Sequence, residues 1–199
     1  PLAYGTTILF WMGMAALGGK WLSVGADREA LAWKPELDAG GGAAVSNAAL
    51  LNKSFTRLPS KARDTWLAQR FHAISKFVLG RRTAAGLNSH LEYLAEFAGE
   101  QLYGSYSLVR TITWAVPILG FLGTVIGITH AIENLDPAKL ESSFGMVASG
   151  LGVAFGTTAL SLSLSLVLVF VSAFVEKTQK SVLADVEILA LDLVTKYFP

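Results

Sequence analysis

Three long stretches without Lys, Arg, Asp or Glu dominate the pattern of hydrophobic and polar positions along the chain. They are residues 1–19, 111–132 and 142–175, which contain 19, 22 and 34 residues. A bilayer core about 30 Å thick is crossed by roughly 20 helical residues. The first two stretches therefore fit one span each. The third, about 51 Å long at about 1.5 Å per residue, spans the bilayer and projects beyond it.

The charged segments between and after these stretches show helical periodicity. Residues 35–59 have a hinge composition with two prolines and a glycine triplet. From Ser60, and again from near Asn88, apolar residues recur every three or four positions, and the tail after residue 175 repeats this pattern. The pattern predicts an all-α integral membrane protein with long cytoplasmic helical extensions. The predicted segments are a first transmembrane helix at 1–24, a cytoplasmic helical segment at 25–110, a second transmembrane helix at 111–132, an external link at 133–143, a third transmembrane helix at 144–175 and a cytoplasmic C-terminal helix at 176–199.

The distribution of basic residues predicts the orientation. Residues 25–110 contain 11 Lys or Arg, and the tail adds three more, whereas the link between the second and third spans has one, Lys139. Because cytoplasmic loops carry the excess of positive charge, the middle segment and the C-terminus are predicted to be cytoplasmic, and the N-terminus external. The first span lacks a basic segment before its apolar run, so it is interpreted as a retained helix and not as a signal peptide.

Composition narrows the classes of function. The 199 residues are 52% hydrophobic and only 16% charged, and the formal net charge of +1 gives no support for nucleic-acid binding. The absence of Cys excludes disulfides and thiolate chemistry, and three scattered His argue against a metal site. The membrane core has no acid, base or nucleophile pair, so we expect no enzyme activity and no bound cofactor.

The second span combines a proline with closely spaced glycines. Pro117 removes a backbone hydrogen bond and predicts a kink. Gly120, Gly123 and Gly127 predict close helix packing, and Thr124 lies beside them near the middle of the span.

The third span carries small residues and a stripe of hydroxyls. Gly152 and Gly156 form a further small-x-x-x-small pair. The residues at i, i+4, i+7 and i+11 of one helical face are Ala154, Thr158, Ser161 and Ser165. Two interpretations of the hydroxyls stay open. They either line a polar ion pathway, or bond backbone carbonyls and join neighbouring helices, as Ser and Thr in membrane helices usually do.

In its second and third spans the sequence resembles the MotA/TolQ/ExbB proton-channel family, and within it the TolQ/ExbB branch. The second span carries Gly-Phe-Leu-Gly-Thr-Val-Ile-Gly-Ile at 120–128, like the glycine motif of the family, and Pro117 stands just before it. In the third span Thr157-Thr158-Ala159 resembles an Ala-Thr-Ala-like step. The resemblance covers about residues 86–180, and it departs at Val153, where relatives often have a Glu.

The resemblance implies a motor subunit of the bacterial inner membrane that converts ion motive force into mechanical work. Five copies are expected to form a ring around a dimeric single-span partner of the ExbD/TolR/MotB type, which supplies one membrane Asp per chain. The coupling ion is expected to be the proton, or else sodium. The residues expected along the ion pathway are Thr124, Thr158, Ser161 and Ser165, with Thr157 the weaker candidate of the adjacent pair.

Other interpretations remain. The chain could instead be a non-conducting oligomeric scaffold held together by its glycine-rich faces. His130, at the outer end of the second span, is either an interfacial residue or a point of proton entry. The basic residues Arg57, Lys61, Arg63, Arg70, Arg81 and Arg82 are interpreted as a solvated cytoplasmic cluster, or else as a docking surface.

Overall fold

The computed structural model describes residues 2–33, 37, 44–133 and 140–198, apart from the side chains of residues 61, 140–143 and 146. No strand occurs among the described residues, which confirms the all-α prediction. The helices are α1 (Leu2–Leu31), α2 (Ala44–Arg57), α3 (Ser60–Arg63), α4 (Trp66–Arg81), α5 (Leu87–Ser105), α6 (Ser107–Glu133) and α7 (Leu140–Tyr197).

Three helical segments are long and apolar enough to cross a membrane, as the charge-free stretches predict. They are Leu2–Leu31, Leu87–Glu133 and Val147–Tyr197. The second segment joins α5 and α6, between which only Tyr106 intervenes. Many large apolar side chains on these segments are exposed in the single chain, including Trp114, Phe121 and Phe170, as lipid-facing or subunit-facing residues would be. Of the predicted external link, residues 134–139 lie outside the described residues.

The chain forms two compact units. One comprises Pro1–Gly19 and Tyr106–Phe174, and the other comprises Lys20–Ser105 and Val175–Pro199. The first unit contains almost all of the charge-free sequence. Within it, α1 packs closely on the other helices, because a Cβ added at Gly13 would lie 3.0 Å from a methyl group of Leu168 and 3.4 Å from one of Ile112.

The second unit has a conventional apolar core built from four helices. Its buried residues recur at helical spacing on α2, α4 and α5 and on the C-terminal part of α7. Those with no exposure are Ala48, Leu51, Ile74, Val78 and Ala190. The amphipathic patterns of the middle segment and the tail are therefore two parts of one core.

A buried arginine crosses this core. Arg70 on α4 is 5% exposed and pairs with the carboxylate of Glu187 on α7. Its guanidinium also donates to the backbone carbonyls of Leu91, at 3.4 Å, and Leu94, at 3.2 Å. Burial lowers the pKa of Arg70 and raises that of Glu187, and the charge of each partner opposes the shift. The assignment of Arg70 to a solvated basic cluster was wrong, because tertiary packing supplies it with an acid 117 residues away.

The first turn of α4 is capped by a residue from another helix. Thr65 stands at the N-cap position, but its side chain makes no capping bond. The carboxylate of Asp27 on α1 instead accepts a hydrogen bond from the backbone N–H of Trp66 at 3.0 Å. Asp27 is buried, and burial raises the pKa of its carboxyl despite that bond. This contact fixes the C-terminal end of α1 to the start of α4.

The raised pKa of Asp27 predicts a pH dependence of stability. A carboxyl whose pKa is higher in the folded state contributes stability below its ordinary value of 3.8, and this contribution is lost as pH rises through the folded value. The Asp27→Asn variant keeps an acceptor oxygen but lacks the charge, so its melting temperature relative to wild type should rise as pH increases from about 4 to 7. The measurement is thermal unfolding in detergent across that range. Glu29→Gln, at an exposed carboxyl two residues away, is the control. A flat difference for Asp27→Asn would contradict the raised pKa of the buried Asp27 carboxyl.

Candidate functional site

Helices α6 and α7 approach each other in antiparallel fashion through small residues. Gly120 lies opposite Ser161, and Gly127 lies opposite Ala154. A Cβ added at either glycine would come within 2.6 Å of the facing Cβ atom. Real Cβ atoms do not approach that closely, so the two backbones can come this near only because these positions lack side chains. The glycines therefore set the distance between the two helices.

The third glycine of the motif lies at the same interface. A Cβ at Gly123 would lie 2.8 Å from the hydroxyl oxygen of Thr157. Towards the C-terminal end of α6 the pattern reverses, since the glycine is now Gly150 on α7 and the facing residue is Ala131 on α6. Sequence inspection did not single out this last pair, although both residues continue the small-residue spacing.

The glycine pair of the third span lies elsewhere. A Cβ at Gly152 or Gly156 would meet no atom within 4 Å, and both residues are exposed. With Ala159 and Ser163 they form an exposed small-residue stripe on the side of α7 that faces away from α6. The single chain gives this stripe no packing partner among the residues that the structure describes.

Pro117 and Ser165 are coupled through one carbonyl group. Pro117 lies inside α6 and has no N–H to donate to the carbonyl of Thr113, four residues earlier. The hydroxyl of Ser165 on α7 donates to that carbonyl instead, at 2.9 Å. A polar group left unpaired in an apolar environment is costly, so Ser165 compensates for the proline. The sequence predicts the missing bond but not the side chain that replaces it.

The predicted pathway hydroxyls divide into two groups. Thr158 also crosses the interface, where it donates to the carbonyl of Gly120 at 2.8 Å. Thr124, Thr157 and Ser161 donate to carbonyls of their own helix three residues earlier. The structure thus brings all five hydroxyls to the α6–α7 interface, but Thr124 and Thr158 bond to the carbonyls of Phe121 and Gly120 and not to each other.

Access to these hydroxyls differs in the single chain. Ser161, Ser165 and Thr124 are buried, whereas Thr157 and Thr158 are partly exposed. A group that approaches from outside the chain would therefore reach Thr158 more easily than Ser161 or Ser165. Of the two adjacent threonines, Thr158 combines this access with a bond to the neighbouring helix.

The charge-free stretches leave the interface without a titratable group. Val153, at the position where the resemblance leads us to expect a Glu, is exposed. The ionisable side chains at the C-terminal end of α6 are His130 and Glu133. Their Nδ1 and Oε2 atoms lie 3.7 Å apart, and both side chains are well exposed. Within the described part of the chain, no three His, Asp or Glu residues cluster as a metal site would require. Hydroxyls donate and accept hydrogen bonds, but they do not bind a proton themselves near neutral pH.

Comparisons with known proteins agree with this architecture. The model of the MotA/TolQ/ExbB proton channel family matches residues 62–188. Two curated relatives, each named biopolymer transport protein ExbB and from two strains of Xanthomonas campestris pv. campestris, are 33% identical over 93 residues. That match covers 47% of this chain and 36% of each relative, so the chain matches about a third of their length. No solved structure matches significantly.

The coupling between Pro117 and Ser165 can be measured by a double-mutant cycle. Ser165→Ala leaves the Thr113 carbonyl without its partner and should lower the free energy of unfolding by about 1 kcal/mol. Pro117→Ala restores the backbone N–H, so the same Ser165→Ala change should cost less than half as much in that background. Unfolding by SDS titration from mixed micelles is the readout. Ser163→Ala, which removes a hydroxyl bonded within its own helix, is the control. Equal costs in both backgrounds would refute the coupling.

The close contact at Gly127 predicts a steric effect of substitution. Gly127→Leu would force α6 and α7 apart and should cost about 2 kcal/mol or more, seen as loss of folded protein in fluorescence-detected size-exclusion chromatography. Gly145→Leu is the matched control, since an added Cβ there meets nothing within 4 Å. Equal recovery of the two variants would show that the interface does not depend on the glycine.

Proposed function

Because the chain belongs to the MotA/TolQ/ExbB proton channel family, we propose that it is an ion-conducting subunit of a membrane motor that converts ion motive force into mechanical work. The family match includes the whole of α6 and most of α7. Together with the three apolar helices, it supports a protein of the bacterial inner membrane. The description of the family as a proton channel family also agrees with the expectation that the chain is not an enzyme.

The proposed assembly is a pentameric ring around a dimeric partner with one membrane span per chain. The partner, of the ExbD/TolR/MotB type, would bring the Asp that these spans lack. The exposed stripe of Gly152, Gly156, Ala159 and Ser163 on α7 supports assembly, because small residues allow helices of neighbouring copies to approach closely. The excess of basic residues in the middle segment and tail supports an external N-terminus and a cytoplasmic C-terminus.

The observation that carries the proposal is a hydroxyl-bearing helix interface inside a membrane segment with no charge of its own. In the proposed mechanism a proton enters from outside and neutralises the Asp of the partner. The neutral side chain moves along the wall formed by α6 and α7, and releases the proton towards the cytoplasm. The hydroxyl of Thr158, and behind it Thr124, can donate to the carboxylate and accept from the carboxylic acid, so the wall accommodates both states.

The valine at position 153 leaves proton binding to the partner. A carboxylate at that position would give the ring a proton-binding group of its own, whereas Val153 offers none. In this chain ion transfer would depend on the Asp of the partner. Since hydroxyls also coordinate sodium, the proton is the preferred coupling ion and sodium the alternative, and no other cofactor is proposed.

A non-conducting scaffold is the second candidate. It is favoured by the hydrogen bonds of Thr158 and Ser165, both of which already serve the contact between α6 and α7. On that hypothesis these hydroxyls have only a structural role, and the second compact unit, which is predicted to be cytoplasmic, would be the functional surface. Ion flux distinguishes the two.

The Thr158→Val variant tests the pathway. Valine has nearly the same shape but cannot donate or accept a hydrogen bond, so ion flux through the reconstituted complex should fall about tenfold or more while the oligomer stays intact. The measurement is proton uptake into proteoliposomes that contain the chain and its co-expressed single-span partner, with native mass spectrometry to verify the assembly. Thr157→Val is the matched control and should conduct like wild type. Wild-type flux in Thr158→Val would remove Thr158 from the pathway, and no flux in the wild-type complex would favour the scaffold.

A further inference from the structure

One face of α5 carries several carboxylates whose charge the helix itself does not balance. Glu92, Glu96 and Glu100 are exposed and follow one another at four-residue steps, about 6 Å apart along the helix. The helix contains no Lys or Arg. None of the three glutamates forms an ion pair within the part of the chain that the structure describes.

Aromatic rings lie beside these carboxylates. Tyr93 and Phe97 are 60% and 52% exposed, and their ring centroids are 6.3 Å apart. The side of α5 that packs on the core is the opposite one, marked by Leu91 and Ala98. Two exposed, stacked aromatic rings on a helix surface indicate a contact with another protein surface and not with water alone. We call the surface formed by residues 92, 93, 96, 97 and 100 the acidic face of α5.

The outer side of α2 has the complementary chemistry. Lys53 and Arg57 are exposed, lie four residues apart and are flanked by the exposed side chain of Leu50. The helix contains no Asp or Glu. Neither cation has an ion-pair partner among the described residues. We call this surface the basic face of α2.

The two surfaces lie on opposite flanks of α4. The α2 side is marked by His72, whose ring stacks on Phe55 at 4.3 Å. The α5 side is marked by Arg70 and by Phe77, whose ring stacks on His90 at 4.5 Å. Arg70 and Phe77 are seven residues apart and share one face of α4, whereas His72 lies about 200° around the helix from Arg70. The two faces therefore cannot pair within one chain.

We propose that the acidic face of α5 in one copy docks on the basic face of α2 in the next copy, which makes a cytoplasmic contact between neighbouring subunits. This inference rests on the proposed ring. Carboxylates and cations at the same four-residue spacing can pair along two adjacent helices, and Leu50 offers an apolar surface to the rings. Two different patches on opposite sides of one subunit form a head-to-tail contact, the type that closes into a ring.

The absence of cysteine from the chain allows a clean test by cross-linking. The full chain, co-expressed with its partner in membranes, carries Glu96→Cys, Lys53→Cys or both, and is treated with a bis-maleimide. A head-to-tail contact predicts no cross-link for either single variant, dimers for a mixture of the two, and a ladder up to the full ring for the double variant. Glu29→Cys with Lys53→Cys, which places the first thiol at an exposed carboxyl on α1, is the matched control and should give no ladder.

A pair of charge-reversal substitutions tests whether the proposed contact depends on electrostatic attraction. In the double-cysteine background, Glu100→Lys should reduce the ladder about fivefold or more, and adding Arg57→Glu should restore it. A ring by native mass spectrometry without the ladder would overturn this contact and leave the proposed function standing. Dimers from Glu96→Cys alone, or cross-links only to a different protein, would also overturn it. If no ring forms, the ring and the contact are both overturned.

Discussion

The close approach of α6 and α7 is the constraint on which the first compact unit depends. In lipid, every backbone polar group must find its partner within the protein. Gly120, Gly123 and Gly127 bring the two backbones near enough for side-chain hydroxyls to reach carbonyls of the other helix. Ser165 uses this proximity to satisfy the carbonyl that Pro117 leaves open. A proline, three glycines and a serine thus form one interdependent arrangement.

This arrangement also shapes the function that we propose. Hydroxyls inserted among apolar residues give the interface hydrogen-bonding capacity without charge, so they fit a wall past which the titrating group of a partner moves. The same hydroxyls stabilise the helix pair, so the same side chains would serve both helix packing and ion transfer. Thr158 is the residue at which the two tasks meet, because it bonds Gly120 and is still partly exposed.

The sequence predicts the elements well and their contacts poorly. Three charge-free stretches suffice to predict three apolar helices, since bilayer thickness and helical rise relate length directly to span. The small-residue spacing of the second span also identified residues that lie at the interface. The spacing could not indicate that Gly152 and Gly156 face away from α6. Arg70 looked like a solvated cation, and the capping of α4 by Asp27 was not foreseen. These features depend on partners 39 to 117 residues away, which local patterns do not encode.

Single-particle imaging of the chain co-expressed with a single-span, Asp-bearing partner tests the motor hypothesis most directly. We expect a five-fold ring in which α6 and α7 line a central pore, with partner helices inside it and the Asp at the level of Thr158 and Thr124. A dimer, or a ring whose centre is filled with lipid and holds no partner helix, would contradict the hypothesis and favour a scaffold.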